Sequence, residues 1–434
     1  MPLLLLRYYN LSRHSTRELS VLKTLLSLIF VLFLLPACSQ EQSPQRDVGP
    51  SEFQKELQTR LINAQAGDVI AIPEGFYELR RGLSLNVSGV TIRGAGMDKT
   101  ILSFKHQVQG AEGLLVNASD FTIEDLAIED TPGDGLKVNE GRNIIIRRVR
   151  AEWTGGPDES NGAYGIYPVQ TENVLVEECV AIASSDAGIY VGQSRNVVVR
   201  NNRAEYNVAG IEIENTFDAD VYGNTTVNNT GGILVFNMPA LPQPGHSTRI
   251  FNNTVSNNNT DNFGAVGTPV ASVPAGSGIV INSNDRVEIF DNDIADNDTA
   301  NVIVSSYFST GYFGKEESVD EYDPYPETIY VYANRFSGGG SSPDGFDLKA
   351  LKVALFGLNG SFPDIIWDGY VNPDNLGDDG KLLAQFAICI DNQGAELLNV
   401  DLRNGSENIV VGEAQHDCKH EKLAPVVLEP PLDS

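Results

Sequence analysis

Residues 187–202 read AGIYVGQSRNVVVRNN, and residues 209–224 read AGIEIENTFDADVYGN. Each begins with a Gly-Ile rung, continues into a second apolar run and ends on Asn, and the second copy starts 22 residues after the first. The rung recurs as DGLKV from Asp134, YGIYPV from Tyr164, GGILV from Gly231, SGIVI from Ser277 and NVIV from Asn301. The Asn-terminated run recurs as STRIFNN from Ser247, DRVEIFDN from Asp285 and TIYVYAN from Thr328, with earlier versions DFTIEDL, NIIIRRV and NVLVEEC. A unit of some twenty residues cannot bury its own apolar side and must stack on its neighbours. Alternation with period two inside each run places one face inside and one outside. Short strands joined by tight bends, one coil per repeat, predict an all-β chain folded as a right-handed parallel β-helix. About nine coils spaced ~4.8 Å apart would make a rod roughly 45 Å long. The recurring Asn202, Asn224, Asn253, Asn292 and Asn334 are expected at one bend, where Asn tolerates left-handed backbone and stacked amides bond along the axis. Gly135, Gly165, Gly188, Gly210, Gly232 and Gly278 are expected to mark a repeated turn.

The flanks differ from the repeat. Residues 1–37 carry the pattern of a cleaved export signal: basic residues, then the short apolar run LLSLIFVLFLLPA at 25–37, then Cys38. Residues 38–50 are polar and read as a tether. SEFQKELQTRLINA follows as an amphipathic helix capping the open end of the rod, with Ser51 and Gln54 at capping-box spacing. The repeat is expected to fill residues 51–336. Residues 337–434 show no repeat and read as a C-terminal cap or appended module, with a helix at DLKALKVALFG. In an oxidising compartment Cys389 and Cys418 are expected to pair, closing a loop of about thirty residues, while Cys179 reads as a buried core residue. HDCKH lacks a second ligand pair at zinc spacing, and the Asp-rich DNDIADNDTAN fits bends better than a calcium loop, so no metal or cofactor is expected. A net charge of −28 disfavours nucleic acid and anionic lipid headgroups as partners.

Function is sought on the outward positions of the rungs. One column runs Lys137, Tyr167, Tyr190, Glu212, Leu234, Val280; a second runs Asn139, Val169, Gly192, Glu214, Phe236. The first half is a stripe of one cation, two phenols and two carboxylates. Aromatic faces beside hydrogen-bonding groups suit a sugar chain lying along the rod, so Lys137, Tyr167, Tyr190, Glu212 and Glu214 are the expected ligand-binding residues. The aromatic and acidic insertion at 309–328, with Tyr307, Phe308, Tyr312, Phe313, Tyr322 and Tyr325, reads either as a sticky lip or as a loop folded over the apolar sheet near Leu234, Val280 and Ile303. Arg142, Arg147, Arg148 and Arg150 form the one basic patch, to meet an anionic sugar or to balance neighbouring Glu residues.

Three resemblances bear on these residues. Leu35-Pro36-Ala37-Cys38 resembles a bacterial lipobox, which implies acylation at Cys38 and, with Ser39 next, an outer-membrane lipoprotein of the cell envelope. The helix followed by GDVIAIPEGFY and GAGMDKTILSF resembles the start of pectate-lyase-like β-helix proteins. Tyr164 to Gln170 resembles the YGFDPH rung of secreted mannuronan C5-epimerases. By that resemblance Tyr164 matches a catalytic Tyr, Tyr167 stands for the Asp, Val169 for the His and Gln170 for the acidic residue. A Val cannot take a proton. The whole chain is similar to exported or lipid-anchored bacterial proteins known only by their parallel β-helix repeats and Cys-containing tail, which implies a second exported protein as partner. The expectation is a non-catalytic envelope protein binding a polysaccharide or that partner. The alternative is a uronate C5-epimerase or lyase using Lys137 as neutraliser and Tyr164 or Tyr167 as acid or base.

Overall fold

A computed structural model describes residues 51–310, 322–412 and 414–430. The signal segment, Cys38, the tether, Tyr312 and Phe313 lie outside the described residues. The described residues form one compact unit.

The coils stack in register as three parallel faces. The rung face begins with Arg81–Leu85 and Gln109–Val116 and continues through Ala187–Gly192, Ala209–Glu214, Gly231–Phe236, Ser277–Asn282 and Ala300–Ser305. The second face carries the Asn-terminated runs, among them Arg195–Arg200, Phe217–Tyr222, His246–Phe251, Asp285–Phe290 and Glu327–Tyr332. A third face is built from three-residue strands such as Arg203–Glu205, Thr225–Val227 and Thr254–Ser256. Inward Ile, Val and Leu from all three faces form one continuous core from Leu57 to Leu397.

The Asn residues act differently from their expected role. Asn202, Asn224, Asn253, Asn292 and Asn334 do not adopt the left-handed conformation; the preceding Asn201, Gly223, Asn252, Asp291 and Ala333 do. The Asn side chains point inward instead and form a ladder. The backbone N–H and the Nδ2 of Asn224 both donate to Oδ1 of Asn253, at 2.9 and 3.0 Å, and a further Nδ2 bond reaches the Val199 carbonyl. The same triple contact joins Asn253 to Asn292 and Asn292 to Asn334. A second ladder, Asn207–Asn229–Asn258–Asn297, runs parallel to it. Buried amides in these rows meet their bonding requirement only if every coil is present.

The rung glycines are corrected likewise. They mark no turn and have no positive φ. A Cβ on Gly135 would stand 2.5 Å from the Gly165 carbonyl oxygen, and one on Gly165 would stand 2.6 Å from that of Gly188. They are a column of close approach.

Helix α1, Glu52–Ile62, covers the open end with Leu57 and Leu61, and Ser51 Oγ accepts from the Gln54 N–H at 3.2 Å. Gln54 does not close a capping box. Its Nε2 donates to the Arg81 carbonyl and its Oε1 accepts from the Arg80 N–H, while Gln58 does the same for Ser84. Two glutamines one turn apart thus satisfy the exposed edge as another strand would. At the other end, stacking continues past residue 336. Ile365–Trp367 pairs with Val302–Val304, Ile388–Asp391 with Ile329–Tyr332, and Leu397–Asn399 with Ile365–Trp367. The amide ladder extends with them to Asn392. Helix α2, Phe346–Phe356, is inserted between coils, and Cys389 is bonded to Cys418. Cys179 is buried, and desolvation pushes its thiol up to about 12.

Removing one ladder member strands two donors of the coil before it. Asn253→Ala is expected to cost about 2–4 kcal/mol in denaturant unfolding. Asn252→Gly, at the exposed left-handed position next to it, is expected to stay within about 0.5 kcal/mol of the parent. Equal effects of the two would refute the ladder's role.

Candidate functional site

The expected outward columns form in the expected register. Lys137 lies beside Tyr167, Tyr190 beside Glu212, and Glu212 beside Leu234; Glu214 lies between Gly192 and Phe236. Most of this face is not open to solvent, which corrects the reading of a solvent-facing stripe. Met238, Phe263, Val270, Val273, Tyr307 and Tyr322 come down from three loops and pack on Leu234, Phe236 and Val280. The Tyr322 hydroxyl donates to the Asn237 carbonyl at 2.5 Å. Tyr307 is thus buried, and Phe308 packs against Tyr325 and Tyr370. These residues form a lid rather than a lip.

The lid stops short of the Tyr164 coil. Asp134, Lys137, Tyr164, Tyr167 and Glu214 remain half-buried at its margin, while Tyr190 and Glu212 lie beneath, 4% and 3% exposed. The rings of Tyr164, Tyr167 and Tyr190 form a triangle with centroids 4.5, 4.5 and 4.9 Å apart. Gly192 makes room for it, since a Cβ there would stand 2.3 Å from the Tyr190 ring. The Tyr190 hydroxyl donates to Glu214 at 2.5 Å, and Gln193 Nε2 donates to both. Lys137 Nζ stands 4.7 Å from the Tyr167 ring centre and 3.8 Å from Asp134.

Two members of this cluster were missed in the sequence. Asp186 is buried next to Glu212 and Tyr164. Asp134 lies at the entrance, and burial pushes its carboxyl up to about 6. A signal for the pocket, though not for Asp186, was present. Below Tyr164 the column continues as Ala187, Ala209, Gly231, Ser277 and Ala300, so a large phenol at its head breaks a run of small residues.

The electrostatics are uniform in sign. Burial raises Asp186, Glu212 and Glu214, and the proximity of Asp186 raises Glu212 further. Two buried carboxyls in one site cannot both carry charge cheaply, so the Asp186–Glu212 pair retains a proton. Desolvation, then the neighbouring acids, hold the phenols of Tyr164, Tyr167 and Tyr190 above their usual range. The three phenols and the Asp186–Glu212 pair therefore keep protons at neutral pH and offer donors, while Asp134 at the entrance is mostly ionised. A phenol in this state is a poor base. Val169 is 5% exposed and brings no titratable group.

The other candidates are structural. Arg148 pairs with Asp125 at 2.6 Å, Arg150 with Glu129 at 2.8 Å and Arg147 with Glu177 at 3.3 Å, so the basic patch balances its own face. His416 and His420 bond to the Ile388 and Ala387 carbonyls. Among the described residues no group of three His, Cys, Asp or Glu is disposed to hold a metal ion.

Comparison with known sequences agrees with this architecture. A family model described as right handed beta helix region matches residues 82–241. The rod is a right-handed parallel β-helix. Over 232 residues the chain is 25% identical to "Putative rhamnogalacturonase D" of Aspergillus niger, covering 43% of this chain and 51% of that protein. It is 23% identical over 208 residues to the pre-neck appendage protein of Bacillus phage B103, covering 39% and 24%. The chain thus spans about half or less of the length of these relatives. Among solved structures, the A-module of an Azotobacter vinelandii mannuronan C-5 epimerase superposes with TM-score 0.49 at 18% identity, over 79% of this chain and 90% of that one. A polygalacturonase from Erwinia carotovora does so with TM-score 0.43 at 12% identity, over 68% and 92%.

The raised carboxyls set a pH dependence. A group that binds its proton more tightly when folded adds stability in full below its unfolded pKa and loses it as pH rises through the folded one. Asp285 (to about 8), Asp134 and Asp220 (to about 6) and the Asp186–Glu212 pair all act in that sense. The melting temperature is expected to fall by a few degrees between about pH 5 and about pH 8, and Asp186→Asn is expected to flatten the fall. A melting temperature that rises over this range would contradict the burial of uncompensated acids.

Proposed function

We propose that the protein binds a polysaccharide chain at the margin of the lid, through Asp134, Lys137, Tyr164, Tyr167 and Glu214. The observation that supports this reading is the tyrosine triangle set among proton-retaining carboxyls: aromatic rings for sugar C–H faces, with donors and acceptors for hydroxyls around them. Tyr190 and Glu212 then act from beneath, holding Tyr164 and Glu214 in place. The likeness to an Aspergillus protein named for rhamnogalacturonan chemistry favours a sugar ligand. Lys137 is the only cation in the cluster, and the chain carries −28, so the reading favours a hydroxyl-rich glycan over a polyuronate.

The rival, a uronate epimerase or lyase, needs a base beside C5. Tyr164 and Tyr167 are held protonated, and Val169 occupies the place of the family's His. Asp134, pushed up to about 6, is ionised at neutral pH but stands 3.8 Å from Lys137, the cation that a uronate carboxylate would need. Binding without turnover is therefore the better account.

The same proposal places the protein in the cell envelope, exported and acylated at Cys38 in the outer membrane, with a second exported protein as a further partner. The anchor is supported by the sequence of residues 25–38, and the partner by the resemblance of the chain to exported β-helix repeat proteins. Loss of palmitate labelling on Cys38→Ala checks the anchor; equal labelling of both forms would refute it.

A glycan array with the soluble chain from Ser39 is expected to show saturable binding to neutral polysaccharides, reduced about tenfold or more by Tyr167→Ala. Incubation with alginate and pectate is expected to give neither proton exchange at C5 nor unsaturated uronate absorbance. Either signal, lost on Tyr164→Phe, would overturn the binding reading in favour of catalysis.

A further inference from the structure

The last described residues leave the Cys389–Cys418 bond and run back along the rod on its second face. Lys419 Nζ meets Asp391 at 2.6 Å, Lys422 Nζ lies 4.3 Å from the Tyr332 ring centre, and Leu428 is buried against Leu175 and Val198. This segment forms neither helix nor strand. Its backbone nevertheless bonds to the rod with a strict period. The Leu423 N–H donates to Glu288 at 3.1 Å, the Val426 N–H to Asp220 at 3.2 Å and the Glu429 N–H to Asn173 at 2.9 Å. The donors are three residues apart. The acceptors lie on every second coil: Arg249 lies between Asp220 and Glu288, and Asn173 lies on the coil of Leu175, two coils before Asp220 and two residues earlier along the strand.

The two periods coincide for a physical reason. An extended chain of three residues per turn advances about 9.3 Å per turn. Two β-helix coils advance about 9.6 Å. A peptide of that twist laid along the axis therefore presents the same side to every second coil without accumulating mismatch. The acceptors are prepared for it. Arg249, between the two acids, donates to both oxygens of Asp220, at 3.2 and 2.9 Å, and lies 3.6 Å from Oε2 of Glu288; the Val426 N–H shares Asp220 Oδ2 with it, and the Leu423 N–H takes Glu288 Oε1. The flanking row Tyr222, Phe251, Phe290 and Tyr332 stacks face to face at 4.7–4.9 Å. Within the row the ring faces are used on each other, so it offers a peptide mostly ring edges, with Lys422 over the ring of Tyr332 at its end.

We propose that this face is a docking track for an extended peptide with a three-residue repeat, filled in cis by residues 419–430 of the same chain and able to take that sequence in trans. The track is independent of the glycan site on the rung face. Residues 423–430, LAPVVLEP, fit it by their spacing: backbone donors at 423, 426 and 429, and Pro425 where no donor is needed.

Two measurements test this. In the unaltered chain, hydrogen exchange is expected to be slow at the amides of Leu423, Val426 and Glu429 and fast at Ala424, Val427 and Leu428; uniform exchange along the segment would overturn the track. In the full chain carrying Val426→Asp and Leu428→Asp, added charge beside Asp220 is expected to release the segment while the rod keeps its melting transition. A labelled synthetic peptide of residues 419–430 is then expected to bind this variant saturably by fluorescence anisotropy, to fail to bind the unaltered chain, and to lose about tenfold in affinity on the further change Asp220→Ala. Absence of binding to a folded variant whose 423, 426 and 429 amides exchange freely would refute docking in trans.

Discussion

One requirement governs this molecule: no coil can satisfy its own buried groups. Each inward amide of the Asn202–Asn334 row hands its bonds to the coil on either side, and each apolar rung is covered only by its neighbours. The rod is therefore cooperative along its axis, and its two ends are special problems. Cys179 and Ser184 close the two ladders at one end, since their N–H groups donate to Asn202 and Asn207 but no amide continues beyond them. Gln54 and Gln58 cover the first edge in the place of a missing strand.

Stacking also makes the site. Lys137, Tyr167, Tyr190 and Glu212 belong to four successive coils, and register alone brings them into one row. The loops then decide what the row can do. Where they close over Leu234 and Val280 the face becomes a second core, and where they end, acids stand at its margin with too little water to ionise freely. That places proton donors around three aromatic rings, an arrangement suited to holding hydroxyls and poorly suited to removing a proton.

Much of this was legible in the sequence because period two and a 22-residue spacing project directly onto columns. The outward positions, the first Asn row, the capping helix and the Cys389–Cys418 pair were readable for that reason. Asp186 was not, because it sits in the bend before Ala187, where no alternation indicates which way a side chain turns. The second Asn row was overlooked because its members, such as Asn229 and Asn258, lie in polar runs that resemble loops. The coils beyond residue 336 lack the Gly-Ile signature and are separated by α2 and a long insertion, so ICIDN at 388–392 stood alone with nothing to align against. The lid depends on contacts between distant loops, which no local pattern records.

The central claim is the register of the coils, and paired cysteines test it most directly. Arg203 and Thr225 are outward neighbours on adjacent coils of the third face. Strands lie about 4.8 Å apart, within reach of a disulfide, whereas a partner displaced by two residues along the strand is out of reach at more than about 7 Å. Oxidation of Arg203→Cys with Thr225→Cys is expected to give a rapid intramolecular disulfide, and Arg203→Cys with Val227→Cys is expected to give none. Equal bonding in both pairs, or bonding only in the second, would contradict the stacking on which the site and the track both rest.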